Sequence, residues 1–358
     1  MVDRDTVQVY ETRAPEWERR RTPRALDRAN AFAARMGAGP SGDLGCGTGW
    51  YSAALPAPVV ALDAAHAMLL RTGEVAPGVL RVQGDLEALP LRPGALRCAW
   101  AHNSYVHVPR TRVPMALADL HRAVGLDGLV ELTFFGGDLE HGALAGDDLG
   151  GRSFSLWSES HLRDVVVGAG FTVDDVASRG SDDGTTYTVL ARRARSLPDT
   201  VGPAMRLLVC GLNPSIYSAD AGVGYARPSN RFWRAALGAG VVTTARDAFR
   251  ALRVDGVGIT DLVKRATVAA SEITADEFRA GLARVERLAA WLRPGAVCFV
   301  GLAGWRTAVD RRAQPGLQPR PIGGRPAYVM PSTSGLNARI PVAEFAAHLR
   351  RALASGAA

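Results

Sequence analysis

Short apolar runs alternate with amphipathic stretches along the whole chain of 358 residues. Apolar runs that end at glycine, proline or aspartate predict buried β-strands, and apolar positions three or four apart predict helices. This alternation is typical of α/β domains, in which helices cover a sheet. The predicted strands are SGDLGC, VVALD, VLRVQGD, LRCAWAH, GLVELTFF, TYTVLAR, RLLVCGL, GVGITDL, AVCFVGL and AYVMPS. The predicted helices are 64–71, 113–124, NRFWRAALGAG, TADEFRAGLARVERLAAWL with Thr274 as its N-cap, and PVAEFAAHLRRAL.

One polar stretch interrupts this alternation: ARRARSLPDTVGPAM, around residues 192–205. It separates two strand-like runs and contains Pro198 and Pro203, as connections between domains often do. The chain is also longer than one ordinary domain. We therefore predict an α/β domain over residues 1–195, a linker over 196–205 and a second α/β domain over 206–355.

Charge is distributed unevenly between the two halves. The formal net charge is +7, to which residues 1–195 contribute −3 and residues 196–358 contribute +10. A basic half beside an acidic half indicates that only the second meets a polyanion such as a nucleic acid. An arginine-rich genome is the alternative explanation, because arginine is abundant throughout the chain.

The cysteines Cys46, Cys98, Cys210 and Cys298 lie far apart and form no CxxC pair. This pattern argues against a disulfide scaffold, a structural zinc site and an iron–sulfur cluster. The apolar runs are too short to span a membrane, and the charged start lacks a signal-peptide pattern. We expect a cytoplasmic protein that is a monomer and holds no metal.

The first half contains a glycine-rich turn, DLGCGTG at residues 43–49, between a predicted strand and a helix. Glycines let the backbone turn tightly and approach a ligand, although an ordinary strand-to-helix corner is the alternative. Asp63 ends the next strand, where a carboxylate can accept two ribose hydroxyls. Asp85 ends the third strand, where a polar side chain can face an adenine edge.

Across residues 8–195 these features resemble the class I S-adenosylmethionine-dependent methyltransferases. DLGCGTG resembles their first motif, and ALDAAHAML, QGDLEALPLRPG and LHRAVGLDGLVELTFF follow in family order. The resemblance implies a Rossmann-like fold, an aromatic N-terminal helix with Tyr10 and Trp17, and S-adenosylmethionine as cofactor, with NAD as the alternative. The cofactor residues that it implies are Asp43, Gly45 and Gly47 at the methionine end, Asp63 at the ribose, and Asp85 with Leu86 at the adenine.

The methyl acceptor is less well defined by the sequence. AHNSYVH, residues 101–107, takes the place of the family's fourth motif but lacks the Asn/Asp-Pro-Pro-Tyr signature of DNA amino-methyltransferases. This departure favours a small-molecule or RNA acceptor. His102 and His107 are candidate bases, and a packed or solvated histidine is an equally good interpretation of each. A cofactor-binding fold without activity is a further alternative.

In the second half, polar and aromatic side chains follow predicted strands. Pro214 ends the strand RLLVC, so that Asn213 lies at its carboxyl end, where α/β sheets bind ligands. An amide can donate and accept at once, so it can position a water or read a base. Tyr225, in a glycine-containing loop, is a candidate stacking face, whereas we interpret Phe232 and Trp233 as core residues.

The turn MPSTSGLNAR, residues 330–339, follows the last predicted strand. Its hydroxyls and backbone amides suit a phosphate. Leu336 is an apolar residue in this polar loop and can enter a duplex in place of an extruded base. An ordinary turn is the alternative interpretation of both this loop and the Asn-Pro pair.

Together these segments resemble the Mug/thymine-DNA glycosylase family of mismatch-specific uracil-DNA glycosylases, over about residues 205–355. CGLNPS, ARPSNRFW, GITDLVKRAT and PSTSGLNAR occur in family order, and 17 residues lead from Asn213 to Asn230. The resemblance implies a three-layer α/β/α fold without a cofactor, in which Asn213 positions the attacking water. The other residues that it implies are Gly211, Leu212 and Tyr225 in the base pocket, Gly335, Leu336 and Asn337 in a wedge that enters the duplex, and Ser332, Ser334 and Arg339 at phosphates.

The implied reaction is hydrolysis of the N-glycosidic bond of uracil, or of a related damaged pyrimidine, in mismatched duplex DNA. Asparagine is a poor general base, so turnover should be slow and depend on a good leaving group. Ser215 stands where many members have glycine, and Tyr225 stands where some have phenylalanine. The alternative is a methyltransferase acting on a small molecule or RNA, whose basic half only binds nucleic acid.

Overall fold

The computed structural model describes residues 3–181, 184–337 and 339–356. They form two compact units, one of Met1–Val167 with Phe171–Ala194 and one of Gly168–Gly170 with Arg195–Ala358. Both units are α/β, as the hydrophobic pattern predicted. Within the described ranges, no helix is long and apolar enough to cross a membrane.

The first unit is a mixed sheet with flanking helices. Its strands are β1 (Ser41–Leu44), β2 (Val59–Asp63), β3 (Leu80–Gln83), β4 (Leu96–Ala101), β5 (Val124–Gly136), β6 (Leu139–Gly142), β7 (Phe154–Trp157), β8 (Phe171–Ser181) and β9 (Gly184–Arg193). Its helices are α1 (Arg4–Arg20), α2 (Leu26–Ala33), α3 (His66–Val75), α4 (Val113–Ala123) and α5 (Glu159–Gly168). The order β3-β2-β1-β4-β5 is parallel throughout, and the sheet continues from β5 to β7 and β6 and, separately, to β9 and β8. This is the Rossmann-like arrangement that we expected.

The second unit is a smaller sheet covered on both faces. Its strands are β10 (Leu207–Gly211), β11 (Val257–Asp261), β12 (Ala296–Val300), β13 (Gly316–Leu317) and β14 (Ala327–Met330). Its helices are α6 (Ile216–Ala221), α7 (Phe232–Gly238), α8 (Ala248–Arg253), α9 (Ala275–Leu292), α10 (Leu302–Ala308) and α11 (Val342–Ala354). The strand order is β11-β10-β12-β14-β13, parallel except for β13 at the edge.

Alternate residues of this second sheet belong to two separate cores. Leu208 and Val297 pack with α9 and α10 on one face, whereas Leu207 and Cys298 pack with α7 and α11 on the other. Successive side chains of a strand point to opposite faces, which is why continuous apolar runs mark strands that are buried on both sides. The second unit therefore has the three-layer α/β/α architecture that we expected.

The longest helix of the second unit begins as the sequence predicted. Thr274 is the N-cap of α9, and its hydroxyl accepts a hydrogen bond from the backbone N–H of Glu277 at 3.2 Å. The Glu277 carboxylate in turn accepts from the Thr274 backbone N–H at 2.9 Å. This capping box satisfies two backbone donors that a helix end otherwise leaves unpaired.

Residues 196–205, which we expected to form a linker, are built into the second unit. Thr200 exchanges two backbone hydrogen bonds of 2.9 Å with Ile259 of β11. Val201 and Met205 are buried in the core beneath α9. The segment is mostly polar and contains prolines, and its few buried apolar residues follow no strand or helix period. The hydrophobic pattern therefore did not predict that the segment is part of the second unit.

A buried ion cluster fastens the same segment. The Asp199 carboxylate accepts hydrogen bonds from Lys264 Nζ at 2.8 Å, from an Arg284 guanidinium nitrogen at 2.6 Å and from Thr260 Oγ1 at 2.6 Å. Burial alone would raise the pKa of Asp199, but the two cations hold it below its usual value. Asp199 is 3% exposed, so its removal would leave two cations poorly compensated inside the unit.

We expect Asp199→Ala to destabilise the second unit by about 3–5 kcal/mol, because breaking a buried ion pair leaves an uncompensated charge. Denaturant unfolding of the full chain measures this change. Asp220→Ala is the matched control, since it breaks the exposed Arg195–Asp220 pair and should change stability little. Equal effects of the two substitutions would contradict the expected role of the buried cluster.

The first unit buries a carboxyl in its central strand. Asp43 of β1 is 1% exposed, and burial raises its pKa to about 7. The Ser52 hydroxyl donates to Asp43 Oδ2 at 2.6 Å, which favours the ionised form without offsetting the burial. The folded protein therefore holds a proton on this carboxyl over a pH range in which the unfolded chain has lost it.

Because the pKa of Asp43 is raised by folding, the free energy of unfolding of the first unit should depend on pH. The contribution of Asp43 is fully present below its unfolded pKa near 4 and is lost as the pH rises to its folded pKa of about 7. Asp43→Asn cannot lose a proton, so it should gain stability relative to the wild type over that interval, on the order of a few kcal/mol. Unfolding free energies measured at steps from pH 4 to pH 8 test this expectation. Parallel profiles for the two proteins would contradict it.

Candidate active sites

The first unit contains a cleft of about 1600 Å³ at the carboxyl ends of β1, β2 and β4. Parallel pairing of β1 with β2 and β4 brings these ends to one edge of the sheet, where α/β folds bind ligands. All six residues that we predicted to hold the cofactor line this cleft: Asp43, Gly45, Gly47, Asp63, Asp85 and Leu86. The part of the cofactor that each would contact stays a prediction.

The glycine turn is tied to the neighbouring strand by Asp63. Gly45 and Gly47 adopt φ of 73° and 56°, in the left-handed region that favours glycine. The Gly47 N–H donates to Asp63 Oδ2 and the Ala65 N–H donates to Oδ1, each at 2.9 Å. Burial raises the pKa of Asp63 to about 6. Each carboxylate oxygen has a second lone pair, so the same side chain can still accept ligand hydroxyls.

Asp85, the third carboxylate among the predicted cofactor residues, stabilises a tight turn. Asp85 Oδ1 accepts a hydrogen bond from the backbone N–H of Glu87 at 2.9 Å. Such a bond two residues along the chain is an Asx turn, which fixes the backbone between the two residues. Leu86 lies at the centre of this turn and lines the cleft.

Helix α1 contributes aromatic side chains to the cleft, as the resemblance implied. Trp17 stacks on Trp50 with ring centroids 5.2 Å apart, and both rings line the cleft. Tyr10 Oη lies 2.8 Å from His107 Nε2 and accepts from Arg152 Nη1 at 2.9 Å. These contacts attach the N-terminal helix to the cleft through two hydrogen bonds and a stacked pair.

The two candidate bases are engaged by other side chains or by the backbone. His107 Nδ1 lies 2.8 Å from the Ser153 carbonyl, which can only accept, so Nδ1 carries the proton and Nε2 accepts from Tyr10. His102 Nδ1 has a partner in Thr133 Oγ1 at 3.2 Å. Burial lowers the pKa of each histidine to about 4. His107 therefore fits the packed interpretation, because both of its nitrogens are occupied.

The candidate site of the second unit lies at the carboxyl edge of its parallel strands. β10 is flanked by β11 on one side and β12 on the other, so the strand order reverses at this point. Ligands of open α/β sheets bind at such a switch point. Asn213 follows β10, Asp261 ends β11 and Ser332 follows β14, so three separate chain segments meet this edge.

The amide of Asn213 is held in one orientation. Its Nδ2 lies 3.1 Å from the Pro214 carbonyl, 3.0 Å from the Arg265 carbonyl and 2.8 Å from Thr267 Oγ1. Carbonyl oxygens only accept, so the nitrogen of the amide must face them. Asn213 Oδ1 consequently points away from these three acceptors. In this orientation the oxygen can itself accept a hydrogen bond.

Three groups crowd one side of Gly211. A Cβ atom placed on Gly211 would lie 2.3 Å from Asp261 Oδ1 and 3.0 Å from Tyr225 Oη, so only glycine fits. The Tyr225 ring stacks on Phe232 at 4.1 Å between centroids, and burial raises the pKa of its hydroxyl. The Leu212 side chain packs against the core instead, and its carbonyl accepts a hydrogen bond from the Val263 N–H at 3.0 Å. Phe232 is a core residue, as we interpreted it.

Asp261 was missing from the residues that the sequence analysis selected. It is paired in register with Gly211, and burial raises the pKa of its carboxyl to about 6. The available signal was an acidic residue at the end of the predicted strand GITD. Parallel pairing of β10 with β11 places it beside Gly211, and local sequence does not specify which strands pair.

The loop after β14 contains the residues that we predicted to contact DNA: Ser332, Ser334, Gly335, Leu336, Asn337 and Arg339. The backbone N–H groups of Ser334 and Leu336 donate to the hydroxyls of Ser332 and Ser334 at 3.3 and 3.4 Å. Leu336 is 99% exposed and Arg339 is also exposed. A fully exposed leucine beside a candidate site is unusual, although DNA contact by this loop stays a prediction.

Two family models match this chain, one within each half. The family model described as the Uracil DNA glycosylase superfamily matches residues 198–354, and that described as a Methyltransferase domain matches residues 43–128.

Similar solved structures include an S-adenosylmethionine-dependent methyltransferase from Mesorhizobium loti (18% identity, 47% of this chain and 97% of that chain, TM-score 0.39). Others are the DhpI–SAH complex (21%, 53% and 96%, TM-score 0.42) and magnesium protoporphyrin IX methyltransferase from Synechocystis PCC 6803 with bound SAH (18%, 48% and 82%, TM-score 0.39). At these TM-scores the three similarities carry no argument about substrate.

The two family models fall on the two compact units, and each covers the carboxyl-edge residues described above. The match that begins at residue 198 also takes in Asp199 and its buried cluster, in agreement with the place of that segment in the second unit. The chain therefore carries a methyltransferase domain in its first half and a domain of the Uracil DNA glycosylase superfamily in its second.

Proposed function

We propose that the second unit is a DNA glycosylase of the Mug/thymine-DNA glycosylase type. It removes uracil, or a related damaged pyrimidine, from mismatched duplex DNA and leaves an abasic site. The observation that carries this proposal is the fixed amide of Asn213 at the carboxyl end of β10. Its nitrogen is held by three acceptors, at 3.1, 3.0 and 2.8 Å, and its oxygen is left for a water.

The amide oxygen suits the task of orienting a water rather than deprotonating it. Cleavage of the glycosidic bond builds positive charge on the sugar, while the electron-poor pyrimidine leaves as an anion. A water held by Asn213 Oδ1 adds to the sugar carbon as the base departs, and its proton passes to solvent. Because an amide is a weak base, the reaction depends on the leaving group, which favours uracil and electron-poor pyrimidines.

Charge and an exposed apolar side chain support duplex DNA as the substrate. The second half carries a net charge of +10, which suits a polyanion. Leu336 is 99% exposed in the loop after β14, and an apolar side chain can fill the place of an extruded base. Ser332, Ser334 and Arg339, on the same loop, would contact phosphates.

For the first unit we propose an S-adenosylmethionine-dependent methyltransferase. The residues present fit this cofactor: a Cβ atom on Gly47 would meet Trp17 first, at 3.7 Å, so the turn faces the cleft. Asp63 offers lone pairs to ribose hydroxyls, and Asp43 and Asp85 line the same cleft. When bound, the cofactor supplies an electrophilic methyl group. Tyr10 and Trp17 of α1 would exclude water from it.

We expect Asn213→Ala to lower the single-turnover rate of base release from a duplex with one U·G pair by about 10²–10³-fold, because the water loses its acceptor. Strand breakage after alkali treatment measures base release. Thr267→Val should cause a smaller loss, since it removes one of the three acceptors that orient the amide.

Gln314→Ala, at an exposed amide of the same unit, is the matched control and should leave the rate unchanged. Wild-type strand breakage no greater than that of Asn213→Ala would end the proposal. DNA binding that weakens with salt but releases no base would instead indicate a nucleic-acid-binding module.

Calorimetry on the full chain tests the first unit. Wild type should bind S-adenosylmethionine, and Asp63→Ala should bind it about ten- to a hundredfold more weakly, because hydrogen bonds to a carboxylate are lost. Asp175→Ala, at an exposed aspartate of β8, should bind as the wild type does. Binding of NAD in place of S-adenosylmethionine would overturn the assignment.

A further inference from the structure

A buried arginine lies directly behind the loop that carries Leu336. The Arg231 guanidinium donates to the Ile340 carbonyl at 2.6 Å, to the Asn337 carbonyl at 2.6 Å and to the Ser334 carbonyl at 3.0 Å. Its residue is 9% exposed, and its charge lies over the Phe345 ring at 5.0 Å. One planar cation therefore holds three carbonyls of the loop after β14, and the described residues of this loop, 331–337 with 339 and 340, lie in no helix or strand.

The residues beside Arg231 hold the start of the same loop. The Arg231 backbone N–H donates to the Thr333 carbonyl at 3.0 Å, and Thr333 Oγ1 donates to Asn230 Oδ1 at 3.0 Å. A Cβ atom on Gly335 would lie 2.7 Å from Cβ of Ser229, so the loop passes close against this segment. Both ends of the loop are thus tied to the start of helix α7.

The side chain of Leu336 does not determine its own position. It is 99% exposed, so packing of its side chain does not decide where it stands. The backbone on either side decides it, and that backbone is attached to Arg231 through Ser334 and Asn337. An exposed loop without such an anchor would sample many conformations, and ordering it on binding would cost affinity and rate.

We propose that Arg231 is a positioning residue for base extrusion, which holds Leu336 in the geometry in which it enters the duplex. This inference rests on the proposed glycosylase function of the second unit. Arginine is required because its planar fork reaches several carbonyls at once, whereas a lysine ammonium is a point charge on a flexible stem. The guanidinium acts through the loop backbone and does not contact the substrate.

A double-mutant cycle on the full chain tests the proposal. Arg231→Lys keeps the charge, and we expect it to lower the single-turnover rate on U·G duplex by on the order of tenfold to a hundredfold, as misplacement of a reacting group does. Leu336→Ala should cause a comparable loss. In the Arg231→Lys background, Leu336→Ala should add little, because the leucine is already misplaced.

Arg325→Lys is the matched control. Arg325 also donates to two carbonyls, of Pro294 at 2.5 Å and Gly295 at 3.2 Å, but it lies before β14 and away from the loop. In that background Leu336→Ala should cause its full loss. Additive losses in the Arg231→Lys background would overturn the inference. A wild type that releases no uracil would instead refute the proposed function on which this inference rests.

Hydrogen exchange on the unaltered protein supplies a second measurement that needs neither activity nor a folded variant. The backbone N–H groups of Asn337 and Ile340 donate to carbonyls at 3.0 and 3.3 Å within the anchored loop. If Arg231 holds this loop, they should exchange about as slowly as amides of helix α7. Exchange at the rate of an unstructured peptide would overturn the inference whatever the enzyme assays show.

Discussion

Parallel pairing of β10 with β11 and β12 is the constraint on which the second unit depends. It brings the carboxyl ends of these strands to one edge and sets Gly211 beside Asp261 in register. The loops that leave this edge can then face a single ligand, although they are far apart in the chain. Parallel pairing has the same effect in the first unit, where the carboxyl ends of β1, β2 and β4 lie together at the cleft.

Irregular segments in the second unit are held by polar side chains that bind backbone carbonyls. The Asn213 amide faces two carbonyls and one hydroxyl, and the Arg231 guanidinium faces three carbonyls. Loop carbonyls have no ladder partner, so a buried donor that satisfies them also fixes the loop. In both cases the group that is oriented, Asn213 Oδ1 or the Leu336 side chain, remains available to a substrate.

Much of the fold was predictable from local pattern. Apolar runs located the central strands of both sheets, and Thr274 marked the start of α9. The pattern failed for β8, whose sequence FTVDDVASRGS is polar because this strand lies at the edge of the sheet, where it pairs with β9. It also failed for residues 196–205, whose buried anchors follow no period.

The candidate sites divide in the same way. The sequence by itself determined the two α/β halves, their opposite charge and the residue types after each strand, because period, composition and turn chemistry are local properties. Tertiary structure alone decided that His107 has both ring nitrogens occupied and that Asp261 lies beside Gly211. It also decided that Arg231 stands behind Leu336, about 100 residues further along the chain. Contacts of that separation depend on how strands are paired and how loops pack, which no local pattern records.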